Sequence, residues 1–344
     1  FEISNSKKIP ILPGRSAAGE LFRGVVPKGS ALKILTGAVL PSGVDTVVLN
    51  EDVKIVAGYL QISSLPKVGA NTRSAGEDIR GADRMFSVGH LVKPQDLAFM
   101  ISAGINEIEV FSPLRVGIFS TGNELSDSSN VKREPLKPGQ IYDSNRPMLI
   151  ALLRHWGQKV IDLGIFPDQF EKIRDSFNTA EKKSDIIITS GGVSSGDEDH
   201  VSKLIQAEGR LENWRIAVKP GRPLALGFWK DNPVFCLPGN PVAAFVCSLI
   251  FLRPALGLLA GGKWHIPQSF NLPSAFDKKK KPGRREFLRA KINDDGFVDC
   301  FPSEGSGRIS SLSWATGLIE LADDKEQVIK GDFLKYIPYS SFDF

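Results

Sequence analysis

The segment "DIIITSGGVSSGDEDH", from Asp185 to His200, combines two features with opposite electrostatic preferences. An apolar run ends at Ser190-Gly191-Gly192, and a Gly-rich turn that leads into a helix presents backbone N–H groups that favour an anion. Three carboxylates, Asp197-Glu198-Asp199, follow and would repel an anion. Either they stabilise the N-terminus of the next helix, by ~0.3–1 kcal/mol each, or one or two of them hold a divalent cation that bridges them to phosphate groups.

Two other loops also follow predicted strands and could bind an anion. "STGNEL" follows a predicted strand and contains Glu124, and "LPGNPVAAF" follows another and contains Pro238-Gly239-Asn240-Pro241. Asn is a good helix N-cap, and Pro suits the first helical turn. Because ligands of open α/β sheets bind beyond the carboxyl ends of the strands, we expect the three loops to meet at one edge, where they favour a phosphate or carboxylate.

Basic residues cluster after a further predicted strand. "NWRIAVKPGRP" contains Arg215, Lys219 and Arg222. Pro and Gly around them restrict the chain, which suits the clamping of an anion, although surface charge on a loop remains an alternative. The run "KKKKPGRR" is expected to be the solvated tip of a hairpin.

The elements that carry these loops alternate between strand and helix from Leu114 onward. "DIIIT" is apolar on both faces, as in a parallel sheet covered by helices. "DQFEKIRDSFNTAEKK" predicts a helix with Phe170, Ile173, Phe177 and Ala180 on one face, and "WRIAVKP" predicts a strand. The alternation predicts a multidomain α/β protein with a central doubly wound domain over residues 113–262. Short strands, among them "DTVVLNEDVKIV", and turn residues predict two small β domains, residues 1–88 and 263–344, and residues 89–112 are expected to form a helical linker.

Composition narrows the function classes. The net charge is +4 over 344 residues, which is too mild for a nucleic-acid-binding protein and fits an enzyme that handles anions. Three cysteines and four histidines lie far apart and lack the spacing of a disulfide framework or a zinc site. The apolar segment "VAAFVCSLIFL" ends at Arg253-Pro254 and is too short for a bilayer core of ~30 Å, so it predicts a buried core helix that ends there. We expect a cytoplasmic protein with no nucleic-acid or membrane partner.

Together these motifs resemble the molybdopterin molybdenumtransferase family, which includes MoeA and the E-domain of gephyrin. The stretches that match occur in the family's order and span nearly the whole chain. They are "TGAVLPSGVDTVV", "GANTRSAGEDI", "FSTGNEL", "GQIYDSNR", "TSGGVSSGDEDH", "VKPGRPLALG", "LPGNPVAA" and "EGSGRISSL".

The resemblance implies a reaction. Family members take adenylylated molybdopterin and molybdate, cleave the adenylate with a divalent cation such as Mg²⁺, and release AMP and molybdenum cofactor. They act as homodimers, and a molybdopterin adenylyltransferase is the implied donor of the substrate. Phosphoanhydride cleavage requires stabilisation of charge on phosphoryl oxygens, which metal, basic side chains and helix N-termini provide.

The resemblance also implies site residues. The implied catalytic residues are Thr36, Asp78, Glu124, Asp199 and Lys219, of which Glu124 and Asp199 would hold the metal. The residues expected to bind the substrates are Asp168, Ser190, Gly191, Gly192, Arg215, Arg222, Pro238, Gly239, Asn240, Pro241, Arg289 and Ser306.

The sequence departs from the family pattern at several positions. Arg215 and Arg222 stand where lysine is common, and Ser195 and His200 replace an apolar and an aromatic residue. The family's N-terminal helical segment ends in an Asp-Gly-Tyr-Ala motif, and this sequence begins after it, so residues 89–112 would be the remaining part of a helical domain. The alternatives are a non-catalytic pterin-binding scaffold of gephyrin type and a phosphotransferase on another nucleotide.

Overall fold

The computed structural model describes residues 7–62, 64, 66–127, 135–193, 200–305 and 307–344. The chain forms two compact units, Phe1–Met85 and Phe86–Phe344. The finer division into four domains stays a prediction.

The first unit contains a four-stranded sheet in the order β2-β1-β4-β3. Its strands are β1 (Lys7–Ser16), β2 (Ala31–Ile34), β3 (Val53–Val56) and β4 (Tyr59–Ile62). Only the last four residues of the predicted strand "DTVVLNEDVKIV" belong to a strand. Its first part is irregular because Val47 N–H and the Asp45 carbonyl pair with the loop at Gly69 and Ala70 instead of a neighbouring strand.

The second unit begins with helix α1 (Pro94–Ser102) and continues into a six-stranded sheet. The sheet has the order β10-β12-β13-β9-β5-β8. Its strands are β5 (Arg115–Thr121), β8 (Lys159–Phe166), β9 (Ile186–Ser190), β10 (Arg210–Trp214), β12 (Ala225–Trp229) and β13 (Asn232–Leu237). Strands β8, β5, β9 and β13 are mutually parallel. Strand β12 pairs antiparallel with β13, and β10 pairs antiparallel with β12. A two-stranded ladder of β6 (Leu125–Ser126) and β7 (Ile141–Tyr142) lies between β5 and the next helix in the chain.

Helices cover both faces of this sheet. One core cluster joins the sheet to α2 (Asn145–His155) and α5 (Pro241–Cys247), and a second joins it to α3 (Phe170–Lys183) and α4 (His200–Glu208). The predicted apolar stripe of α3 is confirmed, since Ile173, Phe177 and Ala180 are fully buried. This two-sided packing confirms the predicted doubly wound α/β class.

The apolar helix is longer than predicted. After α5 it continues through a π-helical turn, Ser248–Leu252, into α6 (Arg253–Leu259). Proline lacks the backbone N–H that an α-helix interior requires, and Pro254 is the second residue of α6, just after the π-helical turn. The 19 residues Pro241–Leu259 are long and apolar enough to cross a membrane, but most of this helix is buried in the core of the second unit.

A second sheet completes the unit in the order β11-β16-β18-β20-β14, with β17 paired to β16. Its strands are β11 (Val218–Lys219), β14 (Phe270–Pro273), β16 (Arg285–Ile292), β17 (Val298–Cys300), β18 (Gly317–Leu321) and β20 (Phe333–Pro338). Strands β15 (Lys278–Lys279) and β19 (Gln327–Val328) pair only with each other, and α7 spans Ser310–Trp314. The prediction of one strand over "WRIAVKP" is wrong, because β10 ends at Trp214 and β11 pairs with β16. Lys219 is thereby anchored to the C-terminal sheet.

Candidate functional site

The three loops predicted to converge do meet at the carboxyl edge of the first sheet. Asn145, the first residue of α2, donates its side-chain N–H groups to Ser190 Oγ and to the Gly239 carbonyl, both at 2.8 Å. Gly191 N–H donates to the Leu237 carbonyl at 3.2 Å. One buried amide therefore holds the ends of β9 and β13 together.

Glycine is required where these loops approach each other. Gly191 has φ +98°, and a Cβ there would lie 2.4 Å from the carbonyl oxygen of Thr121 at the end of β5. A Cβ on Gly192 would lie 2.5 Å from a methyl group of Val201 on α4. The "SGG" turn is thus fixed by close backbone packing, which only residues without a side chain permit.

Several buried polar atoms at this edge lack a partner. In the described part of the chain, hydrogen-bond partners are missing for Ser120 Oγ, Thr121 Oγ1, Thr189 Oγ1 and Asn145 Oδ1. Buried polar groups are normally satisfied, and unsatisfied ones cost ~1–3 kcal/mol each. Four such atoms at the ends of β5 and β9 and the start of α2 are consistent with a polar ligand at this edge.

An arginine holds the loop that follows β5. Arg146 on α2 forms ion pairs with Asp127 at 2.8 Å, Asp143 at 3.1 Å and Asp162 at 2.5 Å. Burial lowers the pKa of Arg146, but the hydrogen bonds and charges of the aspartates more than offset this, and its pKa is raised. The aspartates come from three segments, so Arg146 ties the start of α2 to β8 and to the end of β6.

Glu124 and Asp168 occupy neighbouring loops at the same edge. Gly122 N–H donates to the carbonyl of Phe166 at 3.2 Å, and Asp168 N–H donates to Asn123 Oδ1 at 3.1 Å. These bonds join the loops after β5 and β8. Glu124 is exposed, and its carboxylate lies beside Gly122.

A cavity of about 460 Å³ opens between this edge and the C-terminal sheet, and we call it the basic cleft. Asn240 caps the helix beside it, since its side chain accepts a hydrogen bond from Val242 N–H at 3.2 Å, as predicted. The lining residues that carry its chemistry are Lys219, Arg222, Gly239, Asn240, Arg284, Arg289 and Glu304. The loop after β13 thus contacts both the carboxyl edge and the basic cleft.

Four cations and one acid give this cleft its charge. Within the described part of the chain, the side chains of Arg222 and Arg284 are exposed and form no hydrogen bond or ion pair. Lys219 Nζ contacts Glu304 at 2.6 Å and Glu286 at 3.3 Å. Burial lowers the pKa of Lys219, but the hydrogen bond to Glu304 and the charge of Glu286 raise it above its ordinary value, so the ammonium is fully charged at neutral pH.

Arg289 is a buried cation with neutral partners. Its Nε donates to Ser311 Oγ at 3.0 Å, and its Nη2 donates to the Ser303 carbonyl at 2.7 Å. Its guanidinium forms no ion pair with the described acids. Burial lowers the pKa of Arg289, but a guanidinium remains protonated in proteins. A charge held in this way suits a bound oxyanion.

The carboxyl edge offers oxygen donors that suit a divalent cation. In the described part of the chain, no group of three or more His, Cys, Asp or Glu side chains is placed to hold a metal. Mg²⁺ is usually held by one or two carboxylates together with substrate phosphates. The oxygen donors present, Glu124 and the unpaired hydroxyls of Ser120 and Thr121, fit such a hard cation.

The predicted site residues separate into three groups. Those at the carboxyl edge or the basic cleft are Glu124, Asp168, Ser190, Gly191, Gly192, Lys219, Arg222, Pro238, Gly239, Asn240, Pro241 and Arg289. Thr36 and Asp78 are exposed residues of the first unit, and Arg215 follows β10, outside the lining of the cleft. Asp199 and Ser306 lie outside the described residues.

Sequence reasoning missed four residues of the site. Asn145 lies in the motif "GQIYDSNR", which signalled a match without giving any residue a role. Arg284 and Lys278 lie in the run interpreted as a solvated hairpin tip, but the side chain of Lys278 is only 8% exposed and pairs with Glu304 and Glu286. Glu304 is the first residue of the motif "EGSGRISSL", but its pairing partners are distant in the chain, so the motif gave it no role.

Three family models match the chain in order. They are the MoeA N-terminal region (domain I and II) over residues 2–104, the probable molybdopterin binding domain over residues 117–257, and the MoeA C-terminal region (domain IV) over residues 271–339. The second model covers the six-stranded sheet, and the third covers most of the sheet that carries Arg289.

Known proteins resemble most of the chain. Molybdopterin molybdenumtransferase of Haemophilus influenzae is 36% identical, and the match covers 95% of this chain and 81% of that protein. Gephyrin of Dictyostelium discoideum is 32% identical over 89% of this chain, but the match covers only 48% of gephyrin. The crystal structure of the molybdopterin biosynthesis MoeA protein from Pyrococcus horikoshii OT3 is 26% identical with a TM-score of 0.79, covering 98% of this chain and 82% of that one.

Proposed function

This chain belongs to the molybdopterin molybdenumtransferase family, and we propose that it inserts molybdate into adenylylated molybdopterin and releases AMP and molybdenum cofactor. Its similarity to molybdopterin molybdenumtransferases identifies it as a transferase of molybdenum cofactor biosynthesis. The substrates, the metal and the residue roles are the proposal.

One observation carries the residue roles: the basic cleft adjoins the carboxyl edge through the loop at Gly239. Asn145 ties this loop to Ser190, and the same loop lines the cleft with Lys219 and Arg289. A pterin phosphate linked to an adenylate needs a long site with anion-binding groups at more than one point. The adjacency supports a site in which the nucleotide and pterin phosphates bind along the edge and molybdate binds in the cleft.

The side chains then act mainly by positioning and by charge stabilisation. Cleavage of the phosphoanhydride develops negative charge on phosphoryl oxygens, and donors fixed in advance lower the barrier. Lys219 on β11 and Arg289 on the neighbouring strand β16 would bind oxyanion groups from the C-terminal sheet, and Arg222 would bind them from the loop after β11. N–H groups at the helix start behind Asn240 would add a favourable dipole.

Mg²⁺ would be held by Glu124, with Asp199 as its proposed second carboxylate. When bound, the cation would neutralise phosphate charge and polarise the bond that breaks. Asp168 would orient the pterin or ribose groups through its carboxylate. Thr36 and Asp78 are proposed as further catalytic residues, and Arg215 and Ser306 are proposed to contribute to binding.

A homodimer is part of the proposal. Helix α1 presents Leu97 and Ile101, one turn apart, with exposures of 53% and 62%. Val110 and Phe111, in the segment that follows, are also exposed. Leu97 and Ile101 lie on one side of α1, and exposed apolar patches are typical of protein interfaces, so we propose a second copy of the chain as the occupant of this side of the helix. We also propose a cytoplasmic location and a molybdopterin adenylyltransferase as the donor of the substrate.

The reaction is tested by incubating the protein with adenylylated molybdopterin, molybdate and Mg²⁺ and measuring AMP. We expect AMP release that requires both molybdate and the divalent cation. Tight binding of the pterin without AMP release would support the gephyrin-type scaffold instead. Release that is independent of molybdate would contradict the proposed insertion.

A further inference from the structure

The basic cleft contains a carboxylate where an oxyanion is proposed to bind. Glu304 lines the cleft, and its Oε2 lies 2.6 Å from Lys219 Nζ. Its other oxygen contacts Lys278. Lys278 and Glu286 are also within ion-pair distance, at 3.6 Å. Two lysines and two glutamates therefore form a neutral cluster, and Lys219 offers little net charge to an incoming anion while the cluster is intact.

Only one of the two glutamates is free to leave. Glu286 belongs to β16, and its side chain is 6% exposed. The side chain of Glu304 is 50% exposed, and its residue lies in a segment without regular secondary structure. Because Glu304 divides its oxygens between two lysines, it can release Lys219 and keep its contact with Lys278. No charge is then left buried and unpaired, which would be costly.

The backbone on both sides of Glu304 contacts another cation of the cleft, Arg289. Arg289 Nη2 donates to the carbonyl of Ser303 at 2.7 Å and lies 3.5 Å from that of Gly305. The segment Ser303–Gly305 therefore contacts Lys219 and Arg289, two of the three cations that are proposed to bind oxyanion groups. An anion that binds Lys219 and Arg289 together has to compete with these contacts.

We propose that Glu304 is an internal competitor for the oxyanion, a carboxylate that occupies Lys219 until a bound tetrahedral dianion displaces it. The inference rests on the proposed function, because it assumes that the oxyanion binds in the basic cleft. It assigns Glu304 a specific effect: the residue weakens binding of the oxyanion and holds Lys219 in position while the cleft is without one.

The test compares molybdate binding to the unaltered protein, Glu304→Gln and Glu326→Gln by titration calorimetry. Glu304→Gln removes the competing charge but keeps the size of the side chain. Glu326 is an exposed glutamate outside the cleft, so its variant makes the same change in net charge and serves as the matched control. Exposed ion pairs contribute up to ~1 kcal/mol, so we expect Glu304→Gln to bind molybdate about three- to fivefold more tightly and Glu326→Gln to match the unaltered protein.

The outcomes separate the two proposals. Equal or weaker binding by Glu304→Gln, with clear binding by the unaltered protein, would overturn the competitor role and leave the proposed function intact. Binding by none of the three proteins would overturn the oxyanion site and the competitor role together. A second measurement does not depend on a variant: in crystals of the unaltered protein with molybdate, the Glu304–Lys219 contact is expected to lengthen beyond 4 Å. An intact contact beside bound molybdate would contradict the proposal.

Discussion

At the residue scale, the chemistry of the cleft depends on how charges are shared. Lys219 has two carboxylate partners and Arg289 has only neutral acceptors. The first cation is therefore positioned by acids, and the second is positioned without being neutralised. Together they give a cleft that can hold an anion while neither charge is left without a hydrogen bond.

Lys219→Met is expected to lower molybdate-dependent AMP release by about 10²-fold, the usual effect of removing one donor to developing negative charge. The change also leaves Glu286 and Glu304 sharing Lys278 alone, which repels an anion. Steady-state kinetics of AMP release measure the effect. Lys230→Met is the control, because Lys230 forms an ion pair with Glu181, outside the cleft, and it should leave the rate unchanged. A Lys219 variant with normal turnover would exclude the lysine from the site.

The contribution of Glu304 to stability should depend on pH. Hydrogen bonds from Lys219 and Lys278 lower the pKa of Glu304 from 4.5 to about 2. A group with a lowered pKa stabilises the folded state above its unfolded pKa and loses this contribution as the pH falls toward its folded pKa. Urea unfolding of the unaltered protein and Glu304→Gln should show a difference that is constant above about pH 5 and shrinks toward pH 2. Solvent screening limits it to about 1 kcal/mol. A pH-independent difference would show that the ion pair does not stabilise the fold.

At the element scale, the site depends on how strand ends are held together. The sequence allowed good predictions wherever the pattern was local: Asn240 as a cap, α3 from its apolar spacing, and β9 from its continuous apolar run. It failed at β11, because the pairing of Val218–Lys219 with β16 is set by tertiary contacts. The Lys219–Glu304 ion pair was not predicted for the same reason, because 85 residues separate its two members.

Asn145→Ala removes both hydrogen bonds that join β9 to the loop after β13. We expect the free energy of unfolding to fall by about 1–3 kcal/mol, because Ser190 and the Gly239 carbonyl lose a buried donor. Turnover should fall as well, since the two anion-binding loops are no longer held in register. The neighbouring change Ser144→Ala is the control: the side chain of Ser144 makes no capping hydrogen bond, so its effect should stay within about 0.5 kcal/mol. Equal stability of both variants would show that Asn145 does not organise this edge.

At the scale of the whole molecule, the second unit joins two sheets into one body. A single core cluster combines Leu149 and Ala244 beside the first sheet with Phe287, Leu318 and Ile337 of the second. Trp156 Nε1 also donates to the Phe342 carbonyl at 2.8 Å. The basic cleft lies at this junction, so its width is set by packed elements on both sides. The sequence pattern predicted the central α/β domain and the C-terminal β domain, but it could not show that the two share one hydrophobic core.

The exposed face of α1 gives a prediction about assembly. Ile101→Asp places a charge in the proposed interface, and we expect it to convert a homodimer into a monomer of 37.5 kDa. Light scattering coupled to size-exclusion chromatography measures the mass directly. Phe333→Asp is the control, because Phe333 is 72% exposed on the C-terminal sheet. A monomeric unaltered protein, or a dimer that survives Ile101→Asp, would contradict the proposed interface.

The most direct test of where the oxyanion binds is anomalous diffraction at the molybdenum edge from crystals grown with molybdate and AMP. We expect one strong peak inside the basic cleft, within hydrogen-bond distance of Lys219 and Arg289, and AMP phosphate at the adjoining carboxyl edge near Ser190. A peak elsewhere on the molecule, with the cleft empty and AMP remote from Ser190, would contradict the assignment of these residues to one site.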